Sequence, residues 1–309
     1  MKKSSRHIIP DKKGVLFMRF KNGLFLMNKH AGKGAVSSYR QIVPVLRKAV
    51  EHLDEHVLAP GEAEDVCFRY GSNYDVIIIY GGDGTVHECI NGIARLGDRP
   101  VVAVLPGGTC NDFCRSIGVS DIESACHLIK NGNMREVDIG VMNDRFFVNF
   151  WGIGLITDTS ENIDHHKKSL IGKLSYYLSA LETIRKPDYF HYMIEANGNT
   201  LEGDAIMAVA LNGNYIGAID LPFEADHEDG FLDLIIVKEA GFPLVKEFLH
   251  KEKIKMTGDH AANLEHHRVT SFSLSTTRPL RIDMDGEVYA FTPSNCSIKK
   301  KHIQFISSL

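Results

Sequence analysis

Apolar positions along the first half of the chain fall into two alternating patterns. Short continuous runs read as buried strands, and segments with apolar residues every three or four positions read as helices. "GLFLMN" at 23–28 is a strand-like run ending in "KHAGKG". A helical pattern follows in "AVSSYRQIVPVLRKAVEHL" at 35–53, with Val36, Tyr39, Ile42, Val43 and Val50 apolar and Pro44 expected to kink it or mark its true start. "DVIIIY" at 75–80 leads into "GGDGT" and then "VHECINGIARLG", whose Val86, Ile90 and Ile93 share a face and which Gly97 is placed to end. "PVVAVLP" at 100–106 leads into "GGT", "CNDFCRSIG" and the helical "DIESACHLIKNGN", with an acidic first turn and Gly132 past its end. Strand, Gly-rich turn and helix, repeated, predict a parallel sheet with helices on its faces. Ligands bind such sheets at the carboxyl ends of the strands, where all three Gly-rich turns fall.

Beyond about Asp138 the period changes to two. "DIGVMNDRFFVNFWGIG" predicts a hairpin turning at Asn143-Asp144, and the segment at 189–215 another turning at Asn197-Gly198. "GFLDLIIV", "SFSLST" and "LRIDMDGEVYAFTP" continue as strands, interrupted by helical patterns at 167–186 and 243–256. The pattern therefore divides into an α/β domain at 15–140, which the segment 295–309 could complete, and a β-rich domain at 141–294. Residues 1–14 are expected to be a flexible tail.

Composition narrows the function classes. The chain has 309 residues, 44% of them hydrophobic, a formal net charge of −4 and a pI near 6.4. It has no global basic field of the kind nucleic-acid binders carry, so no nucleic-acid partner is expected. No apolar run has the length of a transmembrane helix, and the basic N-terminus lacks the apolar stretch of a secretory signal. The six cysteines form no CxxC pair and read as reduced thiols of a cytoplasmic protein. His165-His166 and His266-His267 are adjacent pairs, which point to different sides and do not suggest a metal site.

Three stretches carry chemistry. In "GGDGT", Gly81, Gly82 and Gly84 bare the backbone so that successive N–H groups can cradle an anion, with the dipole of the helix from about Thr85 behind them. A phosphate chain suits such a nest. Asp83 would then hold Mg²⁺ or manage a proton; the alternative is a tight turn with an Asp cap. "LPGGTCNDFCRSIG" repeats the logic through Gly107, Gly108 and Thr109, with Asn111 and Asp112 at the next helix start, where an ordinary N-cap is the alternative. "DMDGEV" at 283–288 suits a hairpin turn at Asp285-Gly286, or a turn that aims Glu287 as a general base.

In this order and spacing, "GGDGTVHECING", "LPGGTCNDFCRSIG", "EADHEDGFLDLIIV" and "DMDGEV" resemble the diacylglycerol kinase catalytic-domain family, and more closely its soluble bacterial lipid kinases. The resemblance implies a Rossmann-like α/β domain of the NAD kinase and phosphofructokinase kind, followed by an antiparallel β-sandwich. It implies ATP bound between the two domains and phosphoryl transfer to a lipid hydroxyl, most naturally that of diacylglycerol. It assigns nucleotide contacts to Asn28, Lys29, His30, Ala31 and Gly32, to Gly81, Gly82, Asp83, Gly84, Thr85, Val86 and His87, and to Gly108 and Thr109. Lys29 stands where the family has Pro, Ala31 where it has Ser, and His87 where Asn is common. Asp229, with the carbonyls of Asp226 and Phe231, matches a structural Mg²⁺ site, and Glu224 stands where an Asp is expected. Glu287 matches the catalytic base, with Asp83 beside the phosphates. A NAD kinase-like enzyme shares "GGDGT", and a nucleotide- or lipid-binding module with decayed catalysis is the non-enzymatic alternative. The lipid would be met peripherally at a membrane surface; the segment 242–256 reads either as an interfacial helix or as a core-packed one. Oligomeric state is left open, a homodimer included.

Overall fold

The computed structural model of the chain describes residues 6–10, 16–29, 35–131, 133–155, 157, 188–216, 219–220, 225–239 and 264–308. The helical patterns at 167–186 and 243–256 lie outside the described residues, as do His165, His166 and Glu224. Contacts divide the chain into two compact units, Met1–Val137 with Lys301–Leu309, and Asp138–Lys300.

The first unit contains β1 (Arg6–Pro10), β2 (Leu16–Met27), α1 (Ala35–Ala49), β3 (Val50–Val57), α2 (Ala63–Tyr70), β4 (Val76–Gly81), α3 (Asp83–Ile93), β5 (Val101–Pro106), α4 (Asp112–Ser116) and α5 (Ile122–Asn131). β3, β2, β4 and β5 pair in parallel in that order. A parallel sheet covered on both faces needs continuous apolar strands, and every residue of β4 is buried. The returning C-terminal strand adds to β5 in parallel through Phe305 and Val102. Its Phe305 ring meets Phe113 edge to face at 4.8 Å.

Three local expectations give way. Residues 6–10, expected in a flexible tail, form β1 and pair antiparallel with Leu16 to Phe20 of β2. The β-branched Ile8 and Ile9 favour that extended conformation. The helix expected across 35–53 keeps Pro44 in its interior but stops at Ala49, and Val50 starts β3. Mostly exposed beyond Val50, β3 carries no clear apolar alternation, so its sequence hides it. The helix after "GGDGT" ends at Ile93 rather than at Gly97.

The second unit contains β6 (Met134–Met142, entering from the first), β7 (Arg145–Phe147), β8 (Phe150–Gly154), β9 (Phe190–Ala196), β10 (Asn199–Ala205), β11 (Met207–Leu211), β12 (Tyr215–Ile216), β13 (Ile219–Asp220), β14 (Leu232–Val237), β15 (Leu264–Val269), β16 (Ser271–Thr276), β17 (Arg281–Met284), β18 (Glu287–Phe291) and β19 (Ser294–Ile306, which returns to the first). One antiparallel sheet runs β15-β14-β11-β8-β17-β18. A second set pairs β10, β9, β16 and the start of β19. Their apolar faces meet in one core that includes Trp151, Ile153, Leu234 and Met284 from the first set, and Tyr192, Ile194, Phe272 and Leu274 from the second. Trp151 packs edge to face on Phe272 at 5.3 Å. The expected turns at Asn143, Asn197-Gly198 and Asp285-Gly286 take the positive φ that tight hairpins require.

Candidate active site

In the first unit, register aligns the ends of β2, β4 and β5, the strands that lead into the three Gly-rich stretches, at one edge of the parallel sheet. Met27 lies opposite Tyr80, and Gly81 opposite Pro106. Past those ends the backbone stays tied. The Asn28 N–H donates to the Tyr80 carbonyl at 3.0 Å, and the Gly107 N–H to the Gly81 carbonyl at 2.8 Å. The Asn28 side-chain amide donates to Thr85 Oγ1 at 2.8 Å, joining the first turn to the first helical turn of α3.

Two glycines make the approach of the second and third turns feasible. A Cβ on Gly108 would lie 2.6 Å from the Gly82 Cα, and one on Gly82 would lie 3.1 Å from the Gly108 Cα. No side chain fits between these backbones. Asn111, at a left-handed φ of 51°, closes the third turn by accepting from the Gly108 N–H at 2.8 Å and donating to the Gly108 carbonyl at 2.9 Å. Gly82 caps α3, whose first N–H groups have no partner within the helix. Gly108 and Thr109 are exposed, as is Lys29. His30, Ala31 and Gly32 lie outside the described residues.

The Asp83 carboxyl turns to α4. Its Oδ1 accepts weakly from the Phe113 N–H at 3.5 Å. Burial and the neighbouring Asp112 carboxylate raise its pKa to about 6, against the N–H groups of Phe113, Asp112 and Asn111, which lower it. Asp83 thus ties the second Gly-rich turn to the third. Val86 and His87 are 2% and 0% exposed, so neither presents its side chain at the surface. The His87 ring instead meets the Asn91 amide at 3.2 Å within α3.

In the second unit the Asp285-Gly286 turn joins β17 to β18. The Asp285 carboxylate accepts from the backbone N–H groups of Val148 (2.9 Å), Asn149 (2.8 Å) and Phe150 (3.1 Å). Asp283 Oδ1 accepts from the Gly286 N–H at 2.6 Å. These bonds fix the turn, and Glu287, the first residue of β18, is exposed at the edge of its sheet. The Asp285-Gly286 pair signals only a turn in the sequence; the clamp is hidden there because the donating backbone lies more than a hundred positions earlier.

Asp226, Asp229 and Phe231 do come together in one turn. Asp229 Oδ1 accepts from the Phe231 N–H at 2.8 Å, and Oδ2 is ion-paired with Arg268. Asp226 Oδ1 accepts from the Glu228 N–H at 3.0 Å, and the Asp226 carbonyl accepts from the Asp229 N–H at 3.4 Å. Burial raises the Asp229 pKa, while the Phe231 N–H and Arg268 oppose it. Where the resemblance implies Mg²⁺, the Asp229 carboxylate thus already faces a cation of the chain, the Arg268 guanidinium. No group of three His, Cys, Asp or Glu side chains suited to a metal occurs among the described residues.

Comparison with known proteins sets this geometry in context. Residues 22–142 match the family model described as diacylglycerol kinase catalytic domain, and residues 153–307 the YegS C-terminal NAD kinase beta sandwich-like domain. A Staphylococcus carnosus protein named "Putative lipid kinase" is 29% identical, over 93% of this chain and 97% of its own. A crystal structure described as a diacylglycerol kinase from Bacillus anthracis is 32% identical, with a TM-score of 0.78 over 93% of this chain and 97% of that one. Another Bacillus anthracis structure, of "a putative diacylglycerol kinase", is 35% identical with a TM-score of 0.85 and the same coverage.

Proposed function

Since the chain belongs to the diacylglycerol kinase catalytic-domain family of bacterial lipid kinases, and is therefore a kinase with an alcohol acceptor, we propose that it transfers the γ-phosphate of ATP to the hydroxyl of diacylglycerol, giving phosphatidic acid and ADP. One observation carries the nucleotide half of this reading. The second and third turns are held so close that Gly108 has no room for a Cβ against Gly82, and α3 starts there.

In this reading the phosphates lie against the backbone N–H groups at the start of α3, where the helix dipole favours negative charge. Asn28 fixes the Thr85 hydroxyl, and Asp83 holds the third turn in place against the second. Lys29 and Thr109, both exposed, are within the stretches that contact the nucleotide. Mg²⁺ arriving with ATP supplies charge neutralisation on the transferring phosphoryl group. Glu287 accepts the hydroxyl proton as the lipid oxygen bonds to phosphorus and the bond to the bridging oxygen of ADP breaks. Such general-base assistance is worth ~10²–10⁴-fold. The acceptor is met at a membrane surface by peripheral contact; no helix among the described residues is long and apolar enough to cross a membrane.

The test is a lipid-panel phosphorylation assay with labelled ATP and Mg²⁺, run on the wild type and Glu287→Gln. The expected result is label in phosphatidic acid, lost by ~10²-fold or more in the variant while ATP affinity is kept. Label in a different lipid would redirect the substrate assignment, and an unchanged kcat in Glu287→Gln would remove the base from the mechanism.

A further inference from the structure

The turn from Asp226 to Phe231 is bounded by cations of the chain itself. The Arg268 guanidinium, at its Asp229 contact, also lies over the Phe231 ring with its central carbon 4.5 Å from the centroid. Lys300 reaches the same ring, its Nζ 5.2 Å from the centroid, and its side-chain end packs against Gly230. Gly230, at a φ of +77°, donates its N–H to Asp138 Oδ2 at 2.6 Å. In the β14–β15 ladder Arg268 lies opposite Asp233, a buried carboxylate engaged by His266 at 2.6 Å.

We infer that the Asp226–Phe231 turn is a metal-independent clasp, in which Arg268 takes the place that the family resemblance gives to a structural Mg²⁺. Both Asp229 oxygens already accept, Oδ1 from the Phe231 N–H and Oδ2 from a cation of the chain, so the carboxylate charge that would draw a metal is already countered by Arg268. A divalent ion on Asp229 would sit beside that guanidinium. It would also sit beside Lys300, and like charges a few ångströms apart repel strongly at a partly buried site. A planar guanidinium meets both demands of the turn at once, pairing with the carboxylate and stacking on the aromatic ring. The inference concerns only this turn and leaves untouched the Mg²⁺ that accompanies ATP.

Thermal unfolding of the full chain without nucleotide tests it, in EDTA and in millimolar Mg²⁺, for the wild type, Asp229→Asn and Arg268→Met. The clasp predicts no Mg²⁺-dependent rise in wild-type Tm that Asp229→Asn removes. It also predicts that Arg268→Met lowers Tm by about 2–4 °C in EDTA. A saturable Mg²⁺-dependent rise in the wild type that is absent from Asp229→Asn would overturn the inference, and so would an unchanged Tm in Arg268→Met. Should Arg268→Met fail to fold, the wild type and Asp229→Asn alone decide the matter. A protein inactive on every lipid would leave these melting curves as informative as before.

Discussion

At Asp285 a left-handed backbone and a buried charge coincide. The residue has a φ of 55° and is 7% exposed, and its two oxygens serve three backbone N–H groups from Val148 to Phe150. Removing the carboxylate would strand those donors in the interior, and each buried unsatisfied group costs about 1–3 kcal/mol. Asp285→Ala is therefore expected to destabilise by about 3 kcal/mol or more, with added strain because Ala resists a positive φ. Asp285→Asn keeps one acceptor and tolerates the conformation, so about half that loss is expected. Urea unfolding of both variants checks the order; equal losses would show that the N–H groups do not depend on the charge. The same side chain sets Glu287 at its sheet edge, so both variants should lose activity beyond what their unfolded fraction explains. His87 carries the complementary lesson. Its position in a phosphate-binding motif suggested a contact, yet α3 places it on the inward face, where the Asn91 amide is its neighbour.

The β9–β10 hairpin shows what an element adds to its residues. Antiparallel register puts Asp204 opposite His191. Glu202, two positions earlier on β10, reaches the other ring nitrogen at 3.2 Å, while Asp204 holds Nδ1 at 3.0 Å. The hydrogen bonds to Asp204 and then Glu202 raise the His191 pKa above its ordinary value. The folded-state pKa is raised, so the stabilisation is fully present below the unfolded pKa of about 6.5 and is lost as pH rises through the folded value. NMR titration of His191 should find that upward shift, and Asp204→Asn should remove most of it; an ordinary value in the wild type would show that the exposed pairs do not persist in solution. The turn at Asn197-Gly198 was legible because few residues other than Asn and Gly accept two positive φ values in succession. β3 was not legible, since beyond Val50 it is mostly exposed and polar and is recruited by pairing with β2 rather than by its own pattern.

Across the whole molecule, the chain returns to its first unit for its last residues. Phe305, Ile303 and Ile306 are at most 2% exposed. Arg99 Nε donates to the His302 carbonyl at 2.7 Å, and Ser307 Oγ donates to the Ile117 carbonyl at 2.9 Å. Burying three large apolar side chains contributes about 5 kcal/mol or more, comparable with the total stability of a domain. Deleting 301–309 should therefore unfold the first unit, read as lost hydrogen-exchange protection in β4 and β5; protection kept there would mean that the parallel sheet stands without its returning strand. Apolar continuity in "DVIIIY" and "PVVAVLP", and alternation after Asp138, determined from sequence alone that a parallel α/β segment precedes antiparallel strands. The spacing of "GGDGT", "PGGTCNDF" and "DGE" determined the family resemblance, because these local patterns are dictated by backbone conformation within a few residues. Tertiary structure alone decided that Gly82 abuts Gly108, that Asp83 faces α4, that Asp285 clamps residues 148–150 and that Arg268 takes both Asp229 and Phe231. Each of these contacts joins residues distant in sequence, and no local pattern of apolar and polar positions encodes which distant backbone or charge will arrive beside a given side chain.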